Sequence, residues 1–261
     1  LQLLRPDLHA ILVEALLHAA PGCVTLGRTV TEVEQQGERA VARCDDGSRH
    51  EADLLVGADG IRSRVRACAF DADQPRFTGR VAWRGLVPVS ALADTPLPFA
   101  SGAAVGPGRT FGWDTGRDGT PVHYAALTRA TDPSTFFRWA LCHRPPQPRW
   151  VRGRIVLLGD AAHPMLPYLG QGAAMGFEDA VVLARCLAGV TPLDAALAAY
   201  QATRQPRATL VHRGSAARAD MWEARDVKSG LAGDVVDEER ELFPYDAGHT
   251  PLRLAPADAT R

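Results

Sequence analysis

One stretch, residues 154–180 (RIVLLGDAAHPMLPYLGQGAAMGFEDA), constrains the fold more than any other part of the chain. It opens with a short apolar run that is typical of a buried strand and that ends in Gly159 and Asp160. A loop with two prolines follows, and Gly170-Gln171-Gly172 then opens a helix that we predict over about 173–187. Glycines at a helix entrance let a ligand approach backbone N–H groups, where the helix dipole favours partial negative charge. The stretch predicts a strand, a loop and a helix with a binding site at the glycines.

A second segment, GADGIRSRVR at 57–66, also follows an apolar run. Its Asp59 would lie at the carboxyl end of a strand, the edge at which open α/β sheets bind ligands, and could accept hydrogen bonds from ribose hydroxyls. The alternative is a tight Asp-Gly turn that leads into a helix, with Ser63 and Arg66 as solvated polar residues. Taken alone, the segment leaves both interpretations open.

The rest of the chain separates into regions of different pattern. Apolar residues at helical spacing predict a helix over 8–19, and strands are expected at 24–33 and 40–44. Short β segments dominate 76–142, and a helix at 193–204 runs up to Pro206. We therefore predict an α/β protein with an inserted β-sheet domain. The expected divisions are 1–75, 76–142, 143–208 with the Gly-Asp motif, and a C-terminal helical or irregular tail at 209–261.

Composition excludes several classes of function. The 30 acidic and 29 basic residues give a net charge of −1, so no strong basic field exists for nucleic acid. No apolar run approaches the roughly 18 residues of a membrane span. Five irregularly spaced cysteines without a C-x-x-C pair suit neither a disulfide framework nor a zinc site, so we expect a reducing cytoplasmic location and no metal.

The polar residues inside the 154–180 stretch have modest expected roles. His163 is interpreted as a structural loop residue, and Glu178 and Asp179 as an ordinary solvated helix face. The chain shows no Ser-His-Asp arrangement, metal-ligand cluster or Walker loop, so no catalytic residue is assigned.

Together, GADGIRSRVR and RIVLLGDAAHP with GQGA, in this order around a β-rich insert, resemble the fingerprints of a known family. This family is the FAD-dependent aromatic hydroxylases, single-component flavoprotein monooxygenases with the p-hydroxybenzoate hydroxylase fold. The resemblance runs from Arg5 to about Trp222. It implies a Rossmann-like FAD-binding domain with an inserted β-sheet substrate domain. It also implies NADH or NADPH as reductant, and dioxygen as co-substrate for hydroxylation or epoxidation of an aromatic or conjugated small molecule.

The resemblance also assigns roles to individual residues. Arg5 would contact the flavin, Asp59 would lie at its dinucleotide side, Asp160 would bond the ribityl chain, and Pro167 would pack near the isoalloxazine. The backbone at 170–173 would face the pyrimidine edge. The expected FAD-binding residues are Arg5, Asp59, Gly159, Asp160, Pro167, Gly170, Gln171, Gly172 and Ala173. Tyr168, His123 and Trp113 are the expected substrate contacts.

One part of the family pattern has no counterpart in this sequence. The N-terminal βαβ unit, whose GxGxxG loop binds the ADP pyrophosphate, is absent, so we expect a FAD-binding domain that is incomplete at its N-terminus. Two other functions stay open. One is a flavin-dependent dehydrogenase or reductase on the same fold, and the other is a truncated remnant that acts only as a binding protein. The resemblance also allows a homodimer.

Overall fold

The computed structural model describes residues 5–70, 73–85, 101–106, 109–114, 134, 137–223 and 242–254. The helices are α1 (Arg5–Ala19), α2 (Arg64–Ala69), α3 (Gly172–Gly189) and α4 (Leu193–Glu223). The strands are β1 (Val30–Gln36), β2 (Arg39–Cys44), β3 (Arg49–Ala52), β4 (Leu55–Gly57), β5 (Arg76–Arg84), β6 (Ser101–Gly106), β7 (Arg109–Asp114), β8 (Phe137–His143), β9 (Val151–Arg152) and β10 (Ile155–Leu157). The predicted α/β class is confirmed.

The chain divides into two compact units. Unit 1 comprises Leu1–Arg28, Val81–Ala140 and Trp222–Arg225, and unit 2 comprises Thr29–Arg80, Leu141–Met221 and Asp226–Arg261. Both sequence segments with a predicted binding role lie in unit 2. The domain boundaries expected from the sequence stay a prediction.

The central sheet of unit 2 has the strand order β4-β10-β9. Strand β10 runs parallel to β4, with Ile155 opposite Leu55 and Leu157 opposite Gly57. Parallel strands end at the same edge of a sheet, so the two sequence segments leave the sheet side by side. A Cβ on Gly57 would lie 2.7 Å from Cγ1 of Val65, so α2 can pack this closely only because residue 57 is glycine.

A second sheet in unit 2 is an antiparallel meander of β1, β2 and β3. The expected strand at 24–33 is misplaced, because β1 begins at Val30 and continues to Gln36. The physical reason is that Gly22 and Gly27 adopt positive φ angles of 79° and 69°, which interrupt an extended strand before residue 30.

The core of unit 2 forms where α3 and α4 cover the central sheet. Strand β10 is buried at every position. The helices contribute fully buried side chains to the same core, namely Val182 and Cys186 of α3 and Tyr200 of α4. The prediction that the second helix ends near residue 204 is wrong, since α4 continues through Pro206. Proline inside a helix costs about 3 kcal/mol, but residues on both sides of it, including Ala208 and Val211, are fully buried and offset that cost.

In unit 1, the predicted helix is confirmed as α1, yet none of its residues is buried within the described structure. Strands β6 and β7 of this unit form an antiparallel hairpin. Strands β5 and β8 form a two-stranded sheet, and each of them has residues in both units. The β segment expected at 122–127 lies outside the described residues. Among the helices that the structure describes, none combines the length and the apolar character needed to cross a membrane.

Candidate cofactor-binding site

The loop that follows β10, residues 159–163, is called the GD loop here. It begins with a short 3₁₀ turn, and Gly159 has a φ of 61°, which strongly favours glycine. A Cβ at this position would lie 3.8 Å from the Cα of Gly176, so α3 passes very close to the loop. The loop is thus built on two glycines, one that allows the turn and one that allows the approach of α3.

The backbone of the GD loop is held by several hydrogen bonds. The N–H groups of Ala162 and His163 both donate to the Gly159 carbonyl at 2.9 Å. The N–H of Gly159 donates to Oδ2 of Asp179 on α3 at 3.0 Å. Asp160 remains exposed in the middle of this fixed loop. The sequence segment therefore forms a rigid turn that presents one carboxylate at its surface.

Arg66 of α2 joins the two sequence segments. Its Nη1 donates to the carbonyls of Ala161 and Ala162 at 3.2 and 3.3 Å, and its Nη2 lies 2.9 Å from Oδ1 of Asp73. Arg66 is 2% exposed and Ser63 is 1% exposed, so the interpretation of both as solvated residues is wrong. The reason is that α2 packs against β10, and the buried guanidinium is compensated there by loop carbonyls and by Asp73.

Asp59 supports the N-terminus of helix α2, whose N-cap is Ser63. Its carboxylate accepts hydrogen bonds from Oγ of Ser63 at 2.5 Å and from the N–H groups of Arg64 and Val65 at 2.6 and 3.1 Å. These contacts match the alternative in which an Asp-Gly turn leads into a helix, and Gly60 has the positive φ of 78° that such a turn needs. A role for Asp59 at the FAD dinucleotide stays a prediction.

The entrance of α3 provides an open cradle of glycines. A second 3₁₀ turn over Pro167–Leu169 ends at Gly170, whose φ is 65°. A Cβ on Gly170 would meet no atom within 4 Å, and one on Gly172 would meet only Cγ of Met165 at 4.0 Å. The side chain of the N-cap residue Gln171 makes no capping hydrogen bond to the helix. This arrangement fits the flat, oxygen-bearing edge of an isoalloxazine ring against the helix N-terminus.

The remaining predicted site residues have different positions. Asp160, Pro167, Gly170 and Ala173 are exposed, and Tyr168, Gln171 and Gly172 are half-buried, all in the segment 159–173 of unit 2. Arg5 is exposed at the start of α1 in unit 1, and Trp113 lies on β7 in the same unit. His123 lies outside the described residues. The structure thus brings the 154–180 residues together at one surface and assigns Arg5 and Trp113 to the other unit.

A buried polar network that the sequence pattern did not reveal lies under the GD loop. Asp179 has no exposed surface, and its Oδ2 lies 2.6 Å from Nε2 of His163 while its Oδ1 lies 2.8 Å from Nε of Arg204. The interpretation of Asp179 as a solvated residue is therefore wrong. Spacing could have found it, because residue 179 continues the buried helical series of Met175, Val182 and Cys186. The expectation that His163 is structural agrees with its 1% exposure.

Glu178 extends the network on the other side of α3. Its carboxylate lies 2.7 Å from Nη1 of Arg204 and 3.0 Å from Nη2 of Arg207, so it is also not an ordinary solvated residue. The Tyr245 ring lies 4.1 Å from the Arg207 guanidinium and 5.2 Å from that of Arg204. The C-terminal segment 242–254 is thereby attached to α4.

The electrostatics of Asp179 follow from these contacts. Burial alone would raise the pKa of its carboxyl, but the hydrogen bond from His163 and the charge of Arg204 outweigh burial and hold the pKa below its ordinary value. The nearby carboxylates in turn raise the pKa of Arg204 despite its burial. Within the described ranges, no group of three or more His, Cys, Asp and Glu side chains is arranged to hold a metal ion.

Comparison with known proteins agrees with this geometry. Residues 126–215 match the FAD binding domain family. The chain is 35% identical over 247 residues to 6-hydroxynicotinate 3-monooxygenase from Pseudomonas fluorescens. This alignment covers 80% of this chain and 63% of the relative. It is 34% identical over 253 residues to 3-amino-4-hydroxybenzoate 2-monooxygenase from Streptomyces cremeus, with coverages of 85% and 62%. The chain spans between 60% and 66% of the length of such curated relatives.

Solved structures give the same picture of the fold. A variant of HpxO from Klebsiella pneumoniae complexed with FAD has a TM-score of 0.73 and 28% identity, over 86% of this chain and 67% of that one. A salicylate hydroxylase substrate complex has a TM-score of 0.66 and 26% identity, over 92% of this chain and 73% of that one. The GD loop and the glycine cradle thus occur in a chain whose fold is shared with a structure that contains FAD.

Proposed function

Because the chain belongs to the class of FAD-dependent aromatic hydroxylases, we propose that this protein is an FAD-dependent monooxygenase that acts on an aromatic small molecule. The observation that carries the proposal is the GD loop, which presents Asp160 beside a glycine cradle at the entrance of α3. Both features lie at the carboxyl edge of the parallel β4 and β10 pair, where α/β sheets bind cofactors.

Each part of this site has a role in holding FAD. The Asp160 carboxylate accepts hydrogen bonds from ribityl hydroxyls, and the open surface at Gly170 and Gly172 admits the pyrimidine edge of the ring. Gln171 and Ala173 contribute backbone groups at the same place, with Pro167 against the ring. When bound, the flavin supplies the redox chemistry with dioxygen and NADH or NADPH. The protein orients the substrate and excludes water.

The substrate that we propose is a hydroxylated aromatic acid, which the flavin would hydroxylate. Support comes from relatives whose names specify hydroxynicotinate, 3-amino-4-hydroxybenzoate and salicylate as substrates. Tyr168 is the proposed substrate contact in unit 2, because it lies in the 3₁₀ turn directly before Gly170. Trp113 and His123 are proposed contacts from the β-rich region.

The proposal is tested with the full-length protein purified under mild conditions. We expect a flavin absorbance spectrum, and NADH or NADPH oxidation that rises when one of a panel of hydroxybenzoates or hydroxynicotinates is added. Oxygen consumption and a product 16 mass units heavier should accompany that rise. Substrate turnover that continues without oxygen would instead identify a dehydrogenase or reductase, and a protein that takes up no FAD would contradict the proposal altogether.

Cytoplasmic location and a homodimer are two further parts of the proposal. The location is supported by the five cysteines, all of which are free thiols in the structure. Cell fractionation tests the location, and light scattering on the eluting protein tests the dimer.

A further inference from the structure

Asp179 is connected to the GD loop and to α4 at the same time. One carboxylate oxygen, Oδ2, accepts the Gly159 N–H at 3.0 Å and lies 2.6 Å from His163 Nε2. The other oxygen, Oδ1, accepts from Arg204 Nε at 2.8 Å. Gly159 and His163 are the first and last residues of the loop, so a single side chain fixes both of its ends.

We propose that Asp179, together with His163, is a positioning residue for FAD: it holds the GD loop in the conformation that presents the Asp160 carboxylate to the cofactor. This inference rests on the proposed function. Other hydrogen bonds to the backbone of the loop come from the Gly159 turn and from Arg66, which donates to the carbonyls of Ala161 and Ala162. Without Asp179 the Gly159 N–H would lose its acceptor, and the turn that places Asp160 would lose its anchor.

The geometry around Asp179 indicates which ring nitrogen of His163 donates in this contact. Nε2 lies 2.6 Å from Oδ2 of Asp179, and a carboxylate oxygen accepts hydrogen bonds. His163 Nδ1 is buried and meets no hydrogen-bond partner in the described part of the chain. The assignment that fits both nitrogens therefore places an N–H on Nε2, which donates to Asp179.

The position of the imidazole is also fixed by packing. Its ring centroid lies 5.0 Å from that of Trp150, which is 1% exposed. The ring therefore cannot turn away from Asp179 without leaving a buried aromatic contact. The Asp179 and His163 pair thereby connects the packed core of α3 and α4 to the GD loop.

The network contains a matched control for charge. Glu178 is adjacent to Asp179 and pairs with the same Arg204, but the structure shows no contact between Glu178 and the GD loop among the described hydrogen bonds and ion pairs. Glu178→Gln removes one negative charge from the cluster, as Asp179→Asn does. Only Asp179→Asn changes the group that accepts the loop's hydrogen bonds.

The experiment compares the full-length parent, Asp179→Asn, Glu178→Gln, His163→Gln and His163→Leu. The first readout is the Kd for FAD, together with the visible absorbance spectrum of the bound flavin. We expect Asp179→Asn to raise the Kd by about 10- to 100-fold, the range for a lost hydrogen bond to a charged group. Glu178→Gln should stay within about threefold of the parent. His163→Gln keeps an N–H donor and should restore most of the affinity that His163→Leu loses.

The second readout, hydrogen exchange on the FAD-free proteins, does not depend on the cofactor. Peptides that cover the GD loop should exchange faster in Asp179→Asn than in the parent, while those that cover β2 should not change. Equal effects of Glu178→Gln and Asp179→Asn on FAD affinity and on loop exchange would overturn the inference. If Asp179→Asn does not fold, the two His163 variants decide, and equal FAD affinity in both overturns it. A parent protein that binds no FAD refutes the proposed function itself. A parent that binds FAD, together with an Asp179→Asn variant of equal affinity, refutes only the inference.

Discussion

Replacing Gly172 with valine should separate FAD binding from stability. A Cβ at this position would meet only Met165 Cγ, at 4.0 Å, so the protein itself has space for the side chain. The φ of Gly172 is not positive, and valine is slightly better than glycine in helices. The free energy of unfolding should therefore change by less than about 0.5 kcal/mol. The same side chain would project into the cradle proposed for the flavin ring.

The expected loss of FAD affinity is much larger than the change in stability. Forcing extra methyl groups into an occupied contact costs about 1–3 kcal/mol, which corresponds to a Kd roughly 5- to 150-fold higher. Flavin fluorescence titration and urea unfolding of the FAD-free protein measure the two quantities separately. Gly189→Val is the matched control, because it makes the same change at the other end of α3, where a Cβ meets no atom within 4 Å. Parent-like FAD affinity in Gly172→Val would show that the glycine does not face the cofactor.

Three other predictions follow from the same geometry. Asp160→Ala should weaken FAD binding by about 1.5–3 kcal/mol and leave the urea midpoint unchanged, because the side chain is exposed; an unaltered Kd in titration would contradict its role. Gly57→Ala should destabilise the protein by about 1–3 kcal/mol in urea unfolding, since its Cβ would lie 2.7 Å from Val65 Cγ1, and adding Val65→Ala should recover part of the loss. The pKa of Asp179 is lower in the folded protein than its ordinary 3.8. Its contribution to stability is therefore present above that pH and is lost as the pH falls through the folded value. Between pH 7 and pH 2, the free energy of unfolding should fall less steeply in Asp179→Asn than in the parent.

Sequence patterns predicted the parts of the site that depend on local chemistry. The apolar run before Gly159 and the glycines before α3 specify a strand and a helix entrance through backbone sterics alone, and both occur where expected. The fate of polar side chains depended on residues far along the chain. Asp179 can be buried because it pairs with Arg204, which follows 25 residues later on α4. Arg66 can be buried because it donates to the carbonyls of Ala161 and Ala162, which lie nearly 100 residues later in the chain.

Helix ends show the same limit. A proline normally marks the end of a helix, yet Pro206 lies inside α4. What decides this position is burial on either side, with Tyr200 and Val211 both inaccessible to solvent. Tyr200 packs in the cluster that contains β10, and Val211 packs against Met175 of α3 and Leu242. Local preference and tertiary packing therefore conflict here, and packing prevails.

The two sequence segments act as one structural unit because of how β4 and β10 pair. Their parallel register places Gly57 opposite Leu157, so Asp59 and Gly159 both follow the sheet at the same edge. Asp59 then uses its carboxylate to fix the start of α2, and α2 carries Arg66 to the carbonyls of the GD loop. These contacts connect the first segment to the second through α2. In this structure the first segment supports the second: Asp59 accepts hydrogen bonds at the start of α2, and Asp160 lies on the GD loop, for which the FAD contact is proposed.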